Sequence, residues 1–147
     1  MAKFFSSLPK AVIFDLDGTL IEDPGIFGQR GRKAKAMSYK ELLEYTKDSE
    51  RKPWLGVNEY LESWFRYSEK QPAKAHAKEL IRFLHEHNIP VFVVSSGAQN
   101  CVRDAVKKAF GNDIDPNNIY GSYNNTPVKP NPNAYLFPLR AHGIDTS

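Results

Sequence analysis

The chain has 147 residues, 41% of them hydrophobic and 25% charged, which is ordinary for a single globular domain with room for a small insert. A net charge of +3 and a pI near 8.9 are too mild to mark a nucleic-acid binder without a concentrated basic patch. The one cysteine, Cys101, excludes an internal disulfide and fits a reducing, cytoplasmic setting; no apolar run is long enough to span a membrane, and residues 1–9 do not read as a signal peptide.

The run Ala11-Val12-Ile13-Phe14 leads into Asp15-Leu16-Asp17-Gly18-Thr19-Leu20. It reads as a strand buried on both faces, as in a parallel sheet, with Gly18 freeing the backbone to turn. Period-two geometry points Asp15 and Asp17 the same way if the strand persists that far. Aspartates often just end a strand and start a turn. Two like charges so close repel, however, and a divalent cation or divergent acid and base roles would relieve that conflict.

From residue 22 to 71 the character changes. Asp23-Pro24-Gly25 is a turn, residues 28–35 form a basic, glycine-punctuated loop, and Ser38-Tyr39-Lys40-Glu41 fits a capping box that starts a helix. Pro53 breaks it, and a second helix follows through Val57, Leu61, Trp64 and Phe65. The segment reads as a helical insert between the first strand and the rest of the core.

Pro72 is expected to open a long helix lined by Ala77, Leu80, Ile81 and Leu84, ended by Asn88 and Pro90. His85 and His87 near its end suit the helix dipole better than a metal. Val91-Phe92-Val93-Val94 is a second buried strand that stops at the polar turn Ser95-Ser96-Gly97. The next helix carries Val102, Ala105, Val106, Ala109 and Phe110 on one face and closes at Gly111, with Cys101 an ordinary residue within it. Residues 118–122 form a weaker third strand. A proline-rich loop holding Lys129 leads to a last helix, kinked at Pro138 and ended by Gly143. The alternation of strands and helices argues for a parallel sheet with right-handed crossovers, and ligands bind at the carboxyl ends of such strands.

The string Phe14-Asp15-Leu16-Asp17-Gly18-Thr19-Leu20 closely resembles the first motif of the haloacid dehalogenase superfamily. Val93-Val94-Ser95-Ser96-Gly97 resembles the second, and Val128-Lys129-Pro130-Asn131-Pro132-Asn133 the third, in order and at approximate spacing. The resemblance implies an α/β fold: a Rossmann-type parallel sheet core over residues 1–21 and 72–147, with a small α-helical cap insert over residues 22–71. It also implies a Mg²⁺-dependent phosphatase. Asp15 would be the nucleophile and a metal ligand, forming an aspartyl-phosphate. Asp17 would be the general acid and base, and its main-chain carbonyl a second metal ligand. Ser95, the Ser96 N–H and Lys129 would hold the phosphate oxygens. The substrate is expected to be a phosphorylated small molecule or a phosphoprotein. The basic residues Arg30, Arg32, Lys33 and Lys35 either recruit it or form a solvated loop.

The superfamily's fourth motif, an acidic strand end that completes the metal site, does not occur before Ser147. The expectation is therefore a core whose C-terminal part is missing, with weakened metal binding. A phosphomutase using the same aspartates is the enzymatic alternative. A catalytically silent module that binds an anion or a phosphoprotein is the alternative from another class.

Overall fold

The computed structural model describes residues 8–22, 71–122, 127 and 129–146. Within them lie strand β1 (Val12–Phe14), helix α1 (Ala77–Glu86), strand β2 (Val91–Ala98), helix α2 (Gln99–Phe110), strand β3 (Ile119–Ser122) and helix α3 (Asn133–Ala141). The strands form a parallel sheet in the order β1-β2-β3. This is the α/β architecture expected. Of the helical insert expected over residues 22–71, only Glu22 and Gln71 at its two ends are described; its helices and basic loop lie outside the described residues. No helix among the described residues is long and apolar enough to cross a membrane.

Strand β2 is the centre. Val91, Phe92, Val93 and Val94 are all buried, so side chains pointing to either face leave water. Val91 and Val93 join one cluster with Ile81 and Leu84 of α1 and with Val102 and Val106 of α2. Phe92 faces the other way, its ring 5.0 Å from that of His142 just past α3. The sheet is thus covered on both sides. His142 Nε2 lies 3.0 Å from the Tyr120 hydroxyl, and burial pushes that phenol above its ordinary pKa, with Arg103 pulling the other way.

Four expectations need correction. The regular strand at the start of the chain is only Val12–Phe14, and its residues are half-buried; the fully buried side chains are Leu16, Leu20 and Ile21 of the turn that follows. The helix expected from Pro72 begins at Ala77, because the backbone at 72–74 is already committed elsewhere. The Glu22 N–H donates to the Pro72 carbonyl at 3.0 Å, and the Lys74 N–H to the Leu20 carbonyl at 2.9 Å. Leu80 is exposed, since only Ala77, Ile81 and Leu84, at spacings of four and three, face the core. Finally, Ser95-Ser96-Gly97 is not a turn after β2 but its last stretch, with Ser95 buried.

Candidate active site

β1 and β2 run parallel with Phe14 opposite Val93, so Asp15 and the Ser95–Gly97 stretch emerge at the same sheet edge. Loop residue Lys129 joins them there. Its Nζ lies 2.6 Å from Asp15 Oδ1, although the two residues are 114 positions apart. The Asp15 side chain is 47% exposed and that of Lys129 19%. With the carboxylate about half exposed, solvent screens the pair, and it adds about 1 kcal/mol or less to stability.

The turn after β1 organises both carboxylates. Gly18 takes a φ of 78°, where a side chain would be strained. Its N–H donates to the Ile21 carbonyl at 2.8 Å, and the N–H groups of Thr19, Leu20 and Ile21 all reach the Leu16 carbonyl. The compact turn buries Leu16 and Leu20 and leaves Thr19 facing back, its Oγ1 3.2 Å from Asp15 Oδ2. Asp17 is half-buried, and Gln71 Nε2 lies 3.3 Å from its Oδ1.

On the second strand the ladder to β3 breaks register. Val94 pairs with Tyr120 and Ala98 with Ser122, so Ser95, Ser96 and Gly97 stand against Gly121 alone. Such a bulge re-aims side chains at a strand end. Ser95 Oγ accepts the Gly97 N–H at 3.1 Å and keeps its own hydrogen to donate. Ser122 Oγ donates to the Ser96 carbonyl at 2.6 Å. The bulge is held close to β3: a Cβ built on Gly121 would lie 2.6 Å from the Gly97 carbonyl oxygen and 2.9 Å from Gln99 Cα. Gln99 replaces the missing ladder bonds, accepting from the Gly121 N–H and donating through Nε2 to the Ile119 carbonyl at 2.7 Å. Because α2 begins directly after Ala98, its N-terminus, where free N–H groups and the helix dipole favour anions, lies at the same edge.

Of the residues expected at the site, Asp15 and Lys129 are in direct contact. Asp17, Ser95 and Ser96 are on the adjoining turn and strand end. Thr19 and Gln71 are further residues at the carboxylates. Thr19 had a signal in its place directly after the Asp-x-Asp-Gly turn. Gln71 had none, as it reaches Asp17 across 54 positions. The acidic groups at this edge, Asp15 and Asp17, offer only oxygen donors. Among the described residues no three His, Cys, Asp or Glu cluster to hold a metal. One or two carboxylate-bearing residues with the shell completed by water and phosphate is the habit of Mg²⁺, so the donor set fits that ion.

Similar structures share this arrangement of strands. A haloacid dehalogenase family hydrolase from Deinococcus radiodurans R1, with bound phosphate and sodium, aligns at TM-score 0.59 and 23% identity, covering 92% of this chain and 68% of the other. CbbY from Rhodobacter sphaeroides in complex with phosphate gives 0.61 and 18%, over 93% and 74%. A predicted phosphoglycolate phosphatase from Haemophilus somnus 129pt gives 0.61 and 17%, over 92% and 72%. No curated protein matches the chain. The family model for haloacid dehalogenase-like hydrolases matches residues 9–147, which is most of the sequence. The chain belongs to the haloacid dehalogenase-like hydrolase family.

Proposed function

We propose that the protein is a phosphatase that hydrolyses a phosphate monoester in two steps through an aspartyl-phosphate on Asp15, with residues 22–71 forming a cap over the site. The observation that carries this reading is the Lys129 ammonium 2.6 Å from Asp15 Oδ1 at the carboxyl edge of a parallel sheet. A carboxylate attacking a phosphate dianion needs its approach neutralised, and an ammonium with three donors can serve carboxylate and phosphate together. Affinity for phosphate esters is further supported by the phosphate bound to two of the similar structures.

In the first step Asp15 attacks phosphorus, and the bond to the leaving oxygen breaks. Ser95 Oγ–H, the N–H of Ser96 and the start of α2 receive the non-bridging oxygens where negative charge develops. Asp17 delivers a proton to the leaving oxygen, and in the second step takes one from the water that attacks the phosphoenzyme. Thr19, donating to Asp15 Oδ2, fixes the orientation of the attacking carboxylate. Mg²⁺, held by the Asp15 carboxylate and the Asp17 carbonyl, would supply positive charge that offsets repulsion between the two anions.

Release of inorganic phosphate from a panel of phosphorylated metabolites and phosphopeptides tests the reading. Release that is lost on chelation and restored by Mg²⁺ is expected. Hydrolysis of none of the panel, or hydrolysis indifferent to chelation, would contradict it.

Asp17→Asn separates the acid from the nucleophile. An alkyl phosphate, whose leaving oxygen must be protonated, is expected to lose about 100-fold in turnover. An aryl phosphate with a good leaving group should lose far less in its first step. Single-turnover rates on the two substrates check this, and equal losses would count against an acid role.

A further inference from the structure

Gln71 stands where the chain returns from residues 23–70, and its side chain reaches the second aspartate. Its Nε2 lies 3.3 Å from Asp17 Oδ1 and 3.2 Å from the carbonyl oxygen of Glu22, where the chain departs. A carbonyl and a carboxylate oxygen both accept, so the amide nitrogen, with its two hydrogens, is the group that satisfies both.

The backbone around this contact is tied together. Residues 20–22 and 72–74 form a short antiparallel clip, with Ile21 bridged to Ala73 and Lys74 Nζ 3.5 Å from Glu22 Oε2. Ile21 is bridged on its other side to Asp17 itself. The clip that closes the crossing point therefore holds the Asp17 backbone, while Gln71 holds its carboxylate.

We propose that Gln71 is a positioning residue for Asp17, setting the plane of the carboxylate that passes a proton to the leaving group. The proposal rests on the reading of Asp17 as general acid. An oxygen that faces an N–H donor is poorly placed to carry a proton, so the transferred proton sits on Oδ2. The amide then determines where Oδ2 points. Proton transfer is sensitive to such placement, a displacement of about 1 Å costing on the order of a hundredfold.

The experiment combines kinetics with a spectroscopic readout. Gln71→Ala is expected to lower single-turnover hydrolysis of an alkyl phosphate by about tenfold or more while changing an aryl phosphate less than about twofold. In an Asp17→Asn background the same substitution should cost nothing further, because the group it orients is gone. Independently of activity, Asp17→Ala should shift the Gln71 side-chain amide protons in ¹H–¹⁵N spectra, the proton that faces Asp17 moving more than the one that faces the Glu22 carbonyl. A selective Asp17→Asn profile with a flat Gln71→Ala profile would overturn the proposal alone. So would a full multiplicative loss in the double variant, or a Gln71 amide that does not respond to Asp17→Ala. A flat profile for Asp17→Asn would overturn the acid assignment first, and the proposal with it.

Discussion

Replacing Asp15 with asparagine is expected to lower turnover by at least about a thousandfold while leaving the protein folded. The amide is isosteric with the carboxylate but has almost no nucleophilicity toward phosphorus, and it removes the charge that Lys129 faces. The loss belongs to the chemical step, because Ser95, Ser96 and the start of α2 would still receive phosphate. Substrate affinity should therefore change much less than kcat. Stability should fall by about 1 kcal/mol or less, since the Asp15 carboxylate is about half exposed and solvent screens the pair. Steady-state kinetics and thermal unfolding on one preparation check both parts. A variant that retains more than a tenth of wild-type turnover would remove Asp15 from the reaction.

The second large effect is expected at a residue with no chemistry of its own. Gly121→Val should destabilise the protein by about 3 kcal/mol or more, because its Cβ meets backbone rather than a side chain that can swing away. The Gly97 carbonyl oxygen and Gln99 Cα, 2.6 and 2.9 Å from that Cβ, belong to the bulge and the first residue of α2. Relief of the collision has to push the bulge away from β3, and it moves Ser95 and Ser96 with it. Turnover should thus fall even at temperatures where the variant remains folded. Gly143→Ala is the control: no atom lies within 4 Å of its Cβ, but φ is 71° where the chain leaves α3, so a cost of only about 1 kcal/mol is expected. Urea unfolding of both variants separates close approach from backbone strain. Equal losses would show that the tight contact at Gly121 has been over-read.

What could be read from the sequence was what depends on local pattern. The apolar runs at 12–14 and 91–94, each ending in polar residues, place two parallel strands and the edge where they finish. The i, i+4, i+7 spacing of Ala77, Ile81 and Leu84 places the buried face of α1, and Leu80, although apolar, sits just off that face. What could not be read depends on partners far along the chain. Pro72 looks like a helix start, and only the pairing of 72–74 with 20–22 keeps those residues extended. Ser95-Ser96-Gly97 looks like a turn, and only the neighbouring β3, with a glycine opposite the bulge, lets it continue as strand. Of the candidate site, Asp15, Asp17, Ser95, Ser96 and Lys129 are singled out by motifs in order along the chain. Thr19 and Gln71 became visible when folding brought their donors to the two carboxylates.

The claim on which the rest depends is that Asp15 becomes phosphorylated during turnover. It is tested most directly by quenching the protein in acid within its first turnover of a phosphate ester and mapping the peptides by mass. The account predicts one phosphoryl group on the peptide that contains Asp15, removed by hydroxylamine as an acyl phosphate is, and appearing before free phosphate. A phosphoryl group on any other residue, or a full first turnover of free phosphate with the Asp15 peptide unmodified throughout, would contradict it.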